Sequence, residues 1–231
     1  MCPMNPRLLR PTPTGFNPSK LAALEFWLDA SKTSTVTLNG STVSEWRDVR
    51  SSVAYKVVQE TAGSQPNWIS SSKNGLPGVN FPAGRTLQMP ASPAFVFSQP
   101  TTYFLAFQAP NPVGSWALFD GVTTRQHIFG SGVTALTMFA GSSAAAATIT
   151  SAAFYAAILI YNGASSSHRL NTKTPTTVSV GANAINRLVL GSSTGTRADL
   201  NEFGMFSRAL SAAEAEAMLD YLGRKWGIAV V

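Results

Sequence analysis

Residues 199–228 read DLNEFGMFSRALSAAEAEAMLDYLGRKWGI. The first eight are short, apolar-rich and free of proline, and read as a strand. Ser211 followed by Glu214 is a capping box, in which each side chain satisfies a free backbone N–H of the other. Ala215, Met218, Leu219, Leu222 and Trp226 then recur at helical spacing on one face. Arg224 and Lys225 place cations in the last turn, where the helix dipole favours them, and Gly227 supplies a left-handed stop. The spacing predicts a helix over Ala212–Trp226 that lies on a sheet and buries Trp226.

Outward from this stretch the periodicity changes. Short segments cover residues 25–30, 34–38, 43–47, 55–59, 78–81, 85–89, 101–109 and 115–120. They continue at 125–129, 135–140, 147–150, 154–161, 167–171, 176–180 and 186–190. Glycine, proline, asparagine or serine bounds most of them. Many short strands at this spacing indicate a sandwich or barrel. The clusters NGST, SKNG, PAGR and YNGASSS are turn chemistry, because glycine and asparagine tolerate positive φ. One helical turn is expected over residues 19–24, capped by Ser19.

The chain has 231 residues, suiting one large all-β domain. Only 12% of residues are charged, against about 25% in an average protein. Such charge-poor, small-residue-rich chains suit strands and tight turns. Cys2 is the single cysteine, so no intrachain disulfide forms and packing alone must hold the fold. The longest apolar run is the ten residues 152–161, half of the ~20 a membrane helix needs. A soluble chain without the usual secretion signal is expected. The net charge is +6, but apart from the Arg224–Lys225 pair of the helix end the basic residues are scattered, and no run interleaves them with aromatics. Nucleic-acid binding is therefore not expected, and a basic surface meeting an acidic partner is.

Residues 1–18, MCPMNPRLLRPTPTGFNP, differ in kind. Five prolines forbid regular helix and push their preceding residues to extended geometry. The division expected is an extended N-terminal arm over residues 1–21 and a folded domain over 22–231. Arg7 and Arg10 would meet acidic groups of a partner, and Leu8, Leu9 and Phe16 would fill apolar recesses.

The segments WLDA (27–30), SEWRD (44–48), QPNW (65–68) and NGLPGVNF (74–81), with the closing NEFGMFSRALSAAEAEAMLDYLGRKWGI (201–228), occur in this order. The series resembles laminin-G-like jelly-roll domains of the concanavalin A-like group, over about residues 22–229. The middle of the chain is carried by strand pattern alone. The resemblance implies an all-β, two-sheet antiparallel jelly-roll sandwich with one C-terminal helix and an extended arm. Such domains occur in adhesins, sugar-binding modules and bacteriophage virion proteins. The arm RLLRPTPTGFNP is similar to openings of phage structural proteins.

Relatives of the group include glucanases, so catalysis must be weighed. A retaining glycosidase needs two carboxyls about 5–5.5 Å apart. Glu202 stands alone on its strand, and Asp199, three residues away, would face the other side. Glu25/Asp29 and Glu45/Asp48 are each spaced too widely or too oddly on an extended chain. His127 and His168 read as exposed turn or edge residues. No cluster of histidine, cysteine, aspartate or glutamate has zinc spacing. Asp120 and Asp199 are loop-adjacent candidates for calcium, but neither has a paired acid. Trp27 and Trp46 read as core, with Asp29 and Asp48 as turn-holding acceptors and Arg47 paired to one of them. Sugar binding would draw on Trp46, Trp68, Trp116, Tyr103 or Tyr161.

The function expected is a non-enzymatic bacteriophage virion protein, a capsid decoration protein or fibre-attached module. Its partners would be the major capsid or other virion proteins, with self-assembly compatible, and its location the virion after synthesis in the host cytoplasm. No cofactor, metal, nucleic acid or membrane is expected. The alternative is a carbohydrate-binding adhesion module on the virion tail or a cell surface, with host-surface glycans as ligands.

Overall fold

A computed structural model describes residues 15–50, 55–109, 116–131, 135–192 and 198–231. The strands of the first half are β1 (Leu24–Asp29), β2 (Val36–Asn39), β3 (Thr42–Arg47), β4 (Lys56–Val58), β5 (Asn67–Lys73), β6 (Leu76–Phe81), β7 (Arg85–Gln88), β8 (Val96–Phe97) and β9 (Thr101–Gln108). Those of the second half are β10 (Trp116–Asp120), β11 (His127–Ser131), β12 (Ala135–Phe139), β13 (Ser143–Thr148), β14 (Phe154–Tyr161), β15 (Ser166–Leu170), β16 (Thr176–Val178), β17 (Ile185–Asn186), β18 (Val189–Ser192) and β19 (Ala198–Phe206). One α-helix, α1 (Ala212–Trp226), follows.

Strand β19 is the spine. It pairs with β9 on one side, and with β6 and then β1 on the other. Beyond β9 come β14, β15 and β16. A second run passes from β2 through β3, β4, β7, β18, β10, β11 and β12 to β13. Every pairing among the described strands is antiparallel. The two runs are not separate sheets: β5 pairs with both β6 and β3. Val43 N–H to Pro66 O (2.8 Å) and Trp68 N–H to Ser41 O (2.9 Å) reinforce that seam. Seventeen strands thus form one wrapped, barrel-like network, with β8 and β17 as a separate pair. An all-β fold with one C-terminal helix is what the chain adopts.

Alternation along β9, β14 and β19 builds two apolar clusters. Tyr103, Leu105, Phe107, Ala157, Leu159, Tyr161, Phe203 and Met205 face the enclosed core. Phe104, Ala106, Ala156, Ile158, Ile160 and Phe206 face outward, where α1 covers them with Ala215, Met218, Leu219, Leu222 and Trp226. The capping box at Ser211 and Glu214 is present, and Gly227 closes the helix at φ 61°. Only a residue without a side-chain clash sits there cheaply.

Other details differ from expectation. The first turn is a 3-10 turn over Pro18–Lys20, capped by Asn17 rather than Ser19. The segment 186–190 divides into β17 and β18 because Arg187 adopts φ 49°, which interrupts an extended ladder. His168 is a strand residue, 5% exposed, inside β15. His127 lies half-buried in β11.

Candidate functional site

The expectation that Glu202 stands alone is overturned. Glu202 on β19 lies opposite Asp29 on β1, and both are buried, at 0% and 1% exposure. A register shift between Leu200 and Glu202 changes the parity of β19. Leu200 and Phe203 therefore both face the core, and Asp199 and Glu202 both point outward. Asp199 is engaged elsewhere, accepting from Asn80 Nδ2 at 2.5 Å.

Helix α1 brings three donors onto Glu202, because residues 221, 225 and 226 share one side of its last turns. Tyr221 OH donates to Oε1 at 2.8 Å, and Lys225 Nζ and Trp226 Nε1 donate to Oε2 at 2.7 Å each. From the sheet, Trp27 Nε1 donates to Oε1 at 2.8 Å. Lys225 Nζ also lies 2.6 Å from Asp29 Oδ2. Burial pushes the Glu202 carboxyl above its usual range; the Lys225 ammonium opposes that shift, while the Asp29 charge adds to it. Burial likewise raises the Tyr221 phenol, as does the nearby Glu202 charge.

Each Glu202 oxygen thus receives two donors, and the group is sealed from solvent. A carboxyl so occupied cannot meet a substrate proton at hydrogen-bond distance, as a general acid or base must. The arrangement fastens α1 to the sheet.

Above Asp29 opens a cleft of about 530 Å3. Its walls include Trp27, Lys32, Arg50, Tyr221, Lys225 and the segment from Gly15 to Ser19. Asp29 Oδ1 accepts from Ser31 N–H (2.9 Å) and Oγ (2.7 Å), which holds the turn after β1. Asp48 accepts from Trp27 N–H at 2.8 Å and from Arg50 N–H at 2.7 Å, and pairs with the Arg50 guanidinium at 3.0 Å. Both aspartates are the turn-holding acceptors expected. Arg47 reaches neither, pairing instead with Glu45 at 2.9 Å.

Of the residues expected to dock a partner, Arg7, Leu8, Leu9 and Arg10 lie outside the described residues. Phe16 packs on Tyr221 with ring centroids 5.9 Å apart, and Pro18 is buried. The segment just before β1 is therefore fixed on the domain's own helix layer. The aromatics considered for sugar binding do not form platforms: Trp46, Trp116, Tyr103 and Tyr161 are buried, and Trp68 packs against the core.

Among the described residues, no group of three or more histidine, cysteine, aspartate or glutamate side chains is placed to hold a metal. No described helix is long and apolar enough to cross a membrane.

No family model and no curated protein matches the sequence. Solved structures do match in fold. The Trypanosoma rangeli sialidase in complex with sialic acid aligns with a TM-score of 0.58 and 14% identity, over 91% of this chain and 34% of that one. A mutant of that sialidase displaying trans-sialidase activity aligns at 0.60 with the same identity and coverage. The binding domain of Paraclostridial Mosquitocidal Protein 1 aligns at 0.60 and 10% identity, over 85% of this chain and 52% of that one. The chain thus spans about a third of the sialidase chains and about half of the toxin chain. At these identities the likeness is one of β-rich fold.

Proposed function

We propose that the chain is a non-enzymatic structural protein of a bacteriophage virion, either a capsid decoration protein or a fibre-attached module. In this reading the fold is a two-sheet jelly-roll sandwich whose runs are bridged by β5, and the N-terminal arm anchors it to the major capsid or another virion protein. The observation that supports the reading is the fixed exit point of the arm. Phe16 on Tyr221 and the buried Pro18 hold the chain against α1, so the residues before Gly15 leave from a defined place beside the cleft. Arg10 and Arg7 lie five and eight residues upstream, within ~17 and ~28 Å of that point at full extension. The net charge of +6 suits an acidic partner surface. The sealed, fully donated state of Glu202 supports the absence of glycosidase chemistry. The test is co-purification with intact virions: a fixed copy number per particle is expected, and absence from washed particles contradicts the proposal.

A second reading, a carbohydrate-binding adhesion module on the tail or a cell surface, is supported by the aromatic and charged outer face of β10, β11 and β12.

A further inference from the structure

That face lies away from both apolar clusters. Ile128, Leu136 and Met138 point into the core, so Phe129, Thr137 and Phe139, which alternate with them, point out. The register sets His127 opposite Phe139 and Phe129 opposite Thr137. Ala117 flanks Phe129, and Ala145 flanks Thr137. Both phenylalanines are half-buried and join neither core cluster. Phe129 thus stands between Ala117 and Thr137, and Phe139 between His127 and Ser143.

Beside them an ion pair is held in place. Arg125 Nε donates to Asp120 Oδ1 at 2.9 Å, and Nη2 pairs with Oδ2. The hydrogen bonds to Asp120 hold the Arg125 guanidinium firmly charged. The guanidinium also lies over the Phe139 ring, 5.7 Å from its centroid, and 3.1 Å from His127 Nδ1. His127 stacks on Phe129 at 4.7 Å. The Arg125 side chain remains 46% exposed and that of Asp120 22%. Among the described residues, Nη1 of Arg125 makes no hydrogen bond.

A hexopyranose matches this chemistry. Its C–H face is apolar and flat enough to lie on an aromatic ring. Its hydroxyls each donate and accept, which a carboxylate and guanidinium fixed side by side satisfy together. Because Asp120 neutralises Arg125, the face offers no surplus cation for a phosphate or nucleic-acid backbone. We propose that the outer face of β10–β12 binds a neutral, hexopyranose-containing oligosaccharide, stacked on Phe129 and Phe139 and hydrogen-bonded to Asp120 and Arg125. His127 acts as a positioning residue that holds Arg125 and Phe129. The inference rests on the second reading above.

The test uses the full chain on an array of immobilised neutral and acidic oligosaccharides, followed by titration calorimetry with the best neutral hit. Retention on neutral hexopyranose oligosaccharides is expected. Phe139→Ala and Asp120→Asn should each weaken binding at least tenfold. Phe139→Leu, which keeps apolar volume but removes the ring face, should weaken it as well with an unchanged melting temperature. A blank array sinks both this site and the second reading. Binding that survives Phe129→Ala/Phe139→Ala, is confined to acidic sugars, or is lost only in the cleft variant Lys32→Ala overturns this site while leaving a carbohydrate-binding module standing elsewhere.

Discussion

Lys225 Nζ lies 2.7 Å from Oε2 of Glu202, beneath the helix that carries Lys225 and against the strand that carries Glu202. The same ammonium reaches Asp29, so one cation serves two buried carboxylates. The remaining Glu202 acceptor sites go to two indole N–H groups and a phenol. Taking such charges out of water is costly, and the arrangement holds only because every group has a partner. It fixes α1 in one orientation over the sheet.

Removing one partner should therefore be expensive. Glu202→Ala leaves two indole N–H groups and a phenol without their acceptor in a dry site. Urea denaturation should show a loss of about 3–5 kcal/mol. A loss under 1 kcal/mol would mean that the contacts are incidental to helix docking.

The dependence on pH should have two limbs of opposite sign. Burial raises the Glu202 carboxyl, so its contribution is complete below its unfolded value of 4.5 and is lost as pH rises through its folded value. The stability advantage of wild type over Glu202→Gln should shrink as pH rises. His127 behaves oppositely. Burial lowers its pKa from 6.5 to about 4, so its contribution is present above 6.5 and is lost as pH falls toward 4. That interval corresponds to about 3 kcal/mol. Burial lowers His168 in the same direction. Unfolding free energies measured from pH 7.5 to 4 should fall less for His127→Gln than for wild type.

Gly204 marks a close approach of β19 to β9. A Cβ there would meet the Phe104 ring at 2.1 Å. Phe104 is fully buried between the sheet and α1, so it has little room to yield. Gly204→Ala should cost about 1–3 kcal/mol by overpacking, read as a lowered melting temperature. An unchanged melting temperature would show that the outer layer repacks freely.

Assays on β-glucans and related polysaccharides should show no hydrolysis above background, since Glu202 has no free acceptor site. Hydrolysis that disappears in Glu202→Gln would contradict the fastening role given to this residue.

The legibility of the chain followed the range of each interaction. Local signals read well. The helix ends fall where the capping box and Gly227 place them, and β14 spans the apolar run 154–161. Strand β5 is not legible in sequence because NWISSSK has the polarity of a loop; its pairing with β6 and β3 makes it a strand. The serines before His168 belong to a cluster with turn chemistry, yet β15 begins at Ser166 and buries the ring. Asp29 and Glu202 meet through strand register, across most of the chain, and the bulge in β19 reversed the side on which Asp199 was expected. The Asp120–Arg125–His127 group has a local signal: three polar residues within eight positions, beside an alternating strand. The link between the two runs rests on one seam, where β5 carries hydrogen bonds to both.

The central claim is that the arm anchors a self-sufficient domain to a virion, and truncation tests it most directly. Phe16 and Pro18 pack on the domain, and Leu21 packs on the same apolar cluster. The informative cut therefore falls before Gly15. Deletion of residues 1–14 should leave the melting temperature within about 2 °C of the full chain, while deletion of residues 1–21 should lower it by several degrees, since each buried apolar side chain contributes about 1.5–3 kcal/mol. The deciding measurement is the copy number of the 1–14 deletion in purified virions, compared with the full-length chain. The account predicts a steep fall in incorporation by a protein that remains folded. Full incorporation of the truncated chain would contradict it and move the docking surface onto the folded domain.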